Sequence, residues 1–228
     1  MIEKIFDGYT IKARYFPSLI CLVPFILGKM YVIDPWLVDN SSMTWLVSYF
    51  GDATISLILL YILMQINRTV AKIFFENKKS FPTVESLLST SKETTESYRE
   101  KIGKKVQSDF GLSVPTAQEQ QQDIVESKKR IWEIIQLIIN KVRNGHLVLK
   151  CNMEYGFFRN LAGGSLVALI ASLILAIISR YIITDLSLYV LSLKVALTYF
   201  FVMLFAWVFI NYYSKEYARV LYREYLGS

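Results

Sequence analysis

Four apolar runs, at about 16–33, 43–66, 161–183 and 186–212, leave this chain few folds to choose from. Each reaches or approaches the roughly 20 residues with which a helix crosses a hydrocarbon core, and most of the charge falls between them. With 54% of 228 residues hydrophobic and 19% charged, that segregation lets each part of the chain meet a suitable solvent. The runs predict an all-α membrane protein with four transmembrane helices in two hairpins and a helical cytoplasmic domain between them. The expected divisions are 1–66 for the N-terminal segment and first hairpin, 67–159 for the cytoplasmic domain, 160–213 for the second hairpin and 214–228 for a cytoplasmic tail. The first run follows Lys4, Lys12 and Arg14 as a signal peptide would, but no small-residue cleavage site follows and a second span comes at once, so its retention is expected.

Basic residues set the orientation. The links 34–42 and 184–185 hold no Lys or Arg, whereas 67–159 holds sixteen of the chain's twenty-five and the tail adds Lys215, Arg219 and Arg223. Positive charge stays on the cytoplasmic side, so both termini and the central segment are expected there, with membrane lipid as a partner. A net charge of +6 suits an anionic leaflet. Cys21 lies in a span and Cys151 outside one, so neither a disulfide nor a CxxC metal site is expected. His146, after the helix-stopping Gly145, reads as the end of a helix.

Within the central segment, Pro82, Thr83 and Ser86 mark a short helix start, and the stretch from Ser91 reads as a second helix ending near Gly111. From Pro115 a single long helix is expected, with Ile124, Ile131, Ile135, Ile138 and Val142 forming a heptad-like seam. The seam fits an intrachain hairpin or a contact with another subunit. The tract AQEQQQ is polar enough to fray.

Two stripes of small or polar residues occupy the spans. Gly164, Ala168, Ser172 and Ala176 recur every four residues, which allows close helix approach within or between subunits. Thr44, Ser48, Asp52 and Ser56 line one side of the second span. Asp52, Arg180 and Lys194 share the outer half of the membrane, where a charge costs on the order of 3 kcal/mol unless paired or hydrated. They form either an ion pair that pins helices or part of a water-filled pore, in which an Asp ring favours cations. The segment Tyr155, Gly156, Phe157, Phe158 and Arg159 sits where cytoplasm becomes membrane and reads as an elbow that couples the two.

No Gly-rich phosphate loop, GxSxG or HExxH occurs, so no catalytic residue, cofactor or metal is assigned and an enzyme is not expected. Basic clusters remain at Lys101, Lys104 and Lys105, at Lys128, Lys129 and Arg130, and at Lys141 and Arg143. They are either solvated faces beside an anionic membrane or neutralising contacts for the phosphates of an oligonucleotide.

The stretches YTIKARYFPSLI, FPTVESLL and YGFFRNLAGG together give the chain a resemblance. It resembles small bacterial four-span proteins encoded in anti-phage defence loci, and most of all the channel-forming effector of Hailong-type systems. That resemblance implies an oligomeric ion channel, a tetramer by analogy. It also implies control by a single-stranded oligonucleotide from a partner nucleotidyltransferase, and depolarisation of the infected cell. A non-conducting membrane receptor or scaffold is the alternative.

Overall fold

A computed structural model describes the backbone of residues 8–39, 44–75 and 81–228; the side chains of 37–39 and 44–56 lie outside the described residues. Among the described residues all regular structure is helical. In chain order the helices are α1 (Gly8–Ile20) and α2 (Val23–Trp36), α3 (Thr44–Phe74), α4 (Pro82–Glu85) and α5 (Glu96–Phe110). They continue with α6 (Ala117–Gln122), α7 (Ile124–Val142), α8 (His146–Ile178) and α9 (Leu186–Gly227). The chain divides into two compact units, Met1–Glu76 with Gly156–Ile210, and Asn77–Tyr155 with Asn211–Ser228. Helices α8 and α9 contribute residues to both.

Among the described residues three helices are long and apolar enough to cross a membrane, and α1 with α2 makes a fourth if the pair is one span. This is the make-up of a multi-pass membrane protein. The first apolar run is bent by 48° between its two helices. Pro24 lies in the first turn of α2, where its missing N–H is tolerated, while Cys21 and Leu22 form the tight turn that redirects the chain. A π turn, Lys29–Ile33, then places residues five apart on one side, so that Lys29 reaches Asp34 at 2.9 Å. Another wide turn, Ser179–Ile183, closes α8. Thr184 takes a left-handed conformation (φ 59°), and the Asp185 carboxylate accepts from the Ser187 and Leu188 N–H groups to start α9. Two residues thus join that closing turn to α9.

The first unit packs through small side chains. On α8, Ala168, Ser172 and Ala176 are buried, as are Leu188, Ser192, Ala196 and Tyr199 on α9. The stripe expected for close approach therefore lies inside its own chain. The hydroxyls of Ser172, Ser179 and Ser192 each donate to the carbonyl four residues back, which satisfies them without a partner helix.

The second unit has an apolar core of its own. Ile131, Ile134, Ile135, Ile138 and Val142 of α7 pack with Ile102 and Val106 of α5, Leu87 and Leu88 after α4, and Leu221, Tyr222 and Tyr225 of α9. The heptad-like seam is thus buried within the chain, except that Ile124 is exposed. Gly111 (φ 67°) ends α5 where a Gly was expected to end it.

Two sequence expectations are corrected here. The helix expected from Pro115 is two helices. Asp123 is extended (φ −144°) and caps α7 by accepting from Val125 and Glu126, while Thr116 and Glu119 form a capping box on α6. The AQEQQQ tract is consequently held as a capped helix. Gln120 is buried, accepts from the Ser89 N–H and hydroxyl, and donates to the Pro115 carbonyl. His146 opens α8 and does not end a helix: α7 stops at Val142, and Gly145 belongs to the short link before α8.

Candidate functional site

The helix pair α1–α2 carries three prolines, Pro17, Pro24 and Pro35, and a proline cannot donate to the carbonyl four residues before it. Pro17 leaves the Ala13 carbonyl free and Pro24 leaves that of Ile20. In an apolar medium each orphaned carbonyl needs another donor. Asn160 of α8 donates its amide to Ala13 at 2.6 Å, and Tyr199 of α9 donates its hydroxyl to Ile20 at 2.7 Å. Between these two points, Asn67 of α3 donates to the Ser18 hydroxyl at 3.2 Å, and Cys21 lies 4.0 Å from Ser165 of α8. Three helices thus grip one bent helix pair through polar side chains, all inside the first unit.

The Gly-Gly pair of α8 makes that grip possible. A Cβ on Gly163 would lie 2.6 Å from the Ala71 Cβ and from the Asn67 carbonyl, and one on Gly164 would lie 2.8 Å from the Cys21 sulfur. Backbone meets backbone there, as small residues permit in membrane helices. Asn67 and Asn160 are buried and their amide oxygens have no partner among the described residues. The polar contacts of the hub thus join α3, α8 and α9 to the bent pair.

The intramembrane charges fall elsewhere. The side chains of Thr44, Ser48, Asp52 and Ser56 lie outside the described residues, and with them both the Asp52 ring and its pairing with Arg180 or Lys194. Arg180 and Lys194 are exposed, and neither has an ion-pair partner among the described residues. The Lys29–Asp34 pair was not anticipated from sequence. A spacing of five is off-face in an α-helix, and only the π turn aligns it.

The segment Tyr155–Arg159 lies inside α8 without a break, so it is no elbow in the backbone. Phe158 stacks on Phe209 of α9 with centroids 4.8 Å apart, and Phe157 meets Phe158 edge-on. Gly156 is buried, 3.1 Å from the Tyr9 hydroxyl by the Cβ it lacks.

Most of the basic clusters are engaged within the second unit. Lys128 pairs with Glu85 at 2.7 Å, Arg130 with Glu119 at 2.9 Å and Lys141 with Asp109 at 2.7 Å, while Lys129 reaches Glu126 at 3.9 Å. Lys105 and Lys141 both lie over the Tyr225 ring. Backbone donation from Thr116, then Arg130, holds the Glu119 carboxyl down at about 2, and Lys141 lowers that of Asp109. Lys101, Lys104 and Arg143 are exposed and have no ion pair among the described residues. Lys104 lines an open cleft of about 420 Å³ with Arg99, Glu96, Glu100, Gln107 and Gln120. Arg99 is anchored there to the carbonyls of Ser89, Ser91 and Thr94. Among the described residues no group of three His, Cys, Asp or Glu side chains is placed to hold a metal.

Compared with family models, with characterised proteins and with solved structures, the chain matches none.

Proposed function

We propose that the protein is an anti-phage defence effector, a homo-oligomeric channel in the bacterial inner membrane, with both termini and the second unit in the cytoplasm. In this reading a tetramer depolarises the cell, and a single-stranded oligonucleotide from a partner nucleotidyltransferase controls it. The observation that carries the reading is the division into two units of opposite chemistry. One consists of long apolar helices with exposed basic residues in their length, and the other has its own apolar core and a charged exterior. A conducting part and a sensing part need that division.

The test is ion flux from liposomes containing the purified protein, with and without short single-stranded oligodeoxynucleotides. Flux that responds to the oligonucleotide supports the reading. Binding is expected to weaken as salt rises, because each phosphate contact releases counterions. Its slope is expected to flatten in Lys101→Glu with Lys104→Glu, the cluster whose charge is least engaged within the unit.

One observation favours the alternative of a non-conducting receptor or scaffold. Lys128, Lys129, Arg130 and Lys141 spend their charge on neighbouring acids. Absence of flux together with retained oligonucleotide binding would select that alternative.

A further inference from the structure

One face of α5 opens onto the cleft of about 420 Å³ in the second unit. Glu96, Glu100 and Lys104 recur every four residues along that face, and Gly103 adds no side chain to it. A Cβ on Gly103 would meet only Val114, at 4.0 Å, so the space beside it is open. Ser113, Val114 and Pro115, from the link between α5 and α6, form another wall. Pro115 keeps Val114 extended, and the backbone of Leu112, Ser113 and Val114 makes no hydrogen bond among the described residues. The walls are fixed in advance: Arg99 donates to the carbonyls of Ser89, Ser91 and Thr94, and Gln120 ties Ser89 to the Pro115 carbonyl. A site held in this way costs a ligand little ordering.

Glu96, Arg99, Glu100 and Lys104 form no ion pair among the described residues, so two acids and two bases line the cleft unspent. A ligand of one sign, a phosphate chain included, would set two of the four against itself. A zwitterion places each end beside its opposite. Glu100 and Glu96 lie about 6 and 12 Å along the helix from Lys104, distances that about two to four extended residues span. We propose that the cleft binds a short peptide with free ends. Its ammonium lies beside Glu96 and Glu100, its carboxylate beside Lys104, and its amide groups meet the unpaired backbone of 113–114. An apolar side chain rests on Val114 and the buried Leu87. The proposal goes beyond oligonucleotide control and does not depend on it.

The test is calorimetric titration of the full chain, purified in detergent, with di-, tri- and tetrapeptides of alanine and leucine. Free-ended peptides are expected to bind saturably, about 10-fold or more tighter than the same peptides acetylated and amidated at their ends. Lys104→Met is expected to weaken a free-ended peptide about 10-fold and to leave the binding of its C-terminal amide unchanged. Gly103→Met fills the cleft at a position open to a side chain, and is expected to abolish binding while the melting temperature is retained. No saturation by any of these peptides in the millimolar range overturns the proposal, as does equal binding of free and blocked peptides. Peptide binding that survives Gly103→Met in a folded protein overturns it too. If that variant loses a short single-stranded oligodeoxynucleotide and no peptide binds the parent, the cleft belongs to the oligonucleotide and this proposal fails. If peptides bind and the oligodeoxynucleotide does not, the peptide site stands and oligonucleotide control fails.

Discussion

At the scale of single residues, Pro17 and Pro24 decide more than their number suggests. Each removes one helical hydrogen bond, and each loss is met by a donor from a helix more than a hundred residues away, Asn160 and Tyr199. Tyr199→Phe is expected to destabilise the protein by about 1–2 kcal/mol, because the Ile20 carbonyl is left without a donor in an apolar setting. Pro24→Ala restores a local N–H, so in that background the same change is expected to cost less. Thermal unfolding of the four proteins in detergent gives the coupling, and equal costs in both backgrounds would exclude the compensation. Little of this was legible in the sequence. Asn67 and Asn160 read as the edges of a polar segment, and Tyr199 as one aromatic among many. The available signal was a proline inside an apolar helix, which demands a distant donor without naming it.

At the scale of elements, two glycines in helices give opposite expectations. Gly163→Ala forces a Cβ to 2.6 Å from Ala71 and is expected to destabilise by about 1–3 kcal/mol. In Gly103→Ala the Cβ meets only Val114 at 4.0 Å, so helix propensity governs and a gain of up to about 1 kcal/mol is expected. Melting temperatures of the two variants check both signs.

The break between α6 and α7 belongs to the same scale. Its carboxylate Glu119 is favoured by the fold in its charged form, with its pKa lowered from 4.5 to about 2. Its contribution is therefore complete above the ordinary carboxyl range and is lost as pH falls from about 4.5 toward 2. Glu119→Gln is expected to lower stability at pH 7 and to narrow the difference in melting temperature between pH 5 and pH 2.5. An unchanged pH profile would remove the capping box from the account. Thr116 and Glu119 stand at capping-box spacing, a signal that the reading of one long helix from Pro115 passed over in favour of the regular isoleucine seam. Apolar periodicity reports the buried face and is blind to a single extended residue such as Asp123. The seam itself was legible, because four of its five residues are buried where the heptad put them.

At the scale of the molecule, apolar length made the long helices legible. The bend in the first run was not legible as a bend, since Pro24 fits the first turn of a helix as well as it interrupts one. On the proposed channel reading, Asp52→Asn is expected to assemble normally and to lose cation preference in liposome flux. Poor assembly of that variant would assign Asp52 to a structural ion pair, and unchanged selectivity would remove it from conduction.

The link Thr184–Asp185 carries a consequence for how such a chain is made. With two residues between the turn that closes α8 and the start of α9, and the second of them already capping α9, the two helices are tied as a tight hairpin. Insertion of the two as a pair is the expected outcome. A nascent chain severed after Ile183 would present α8 with the face meant for α9 bare, a natural target for membrane quality-control proteases.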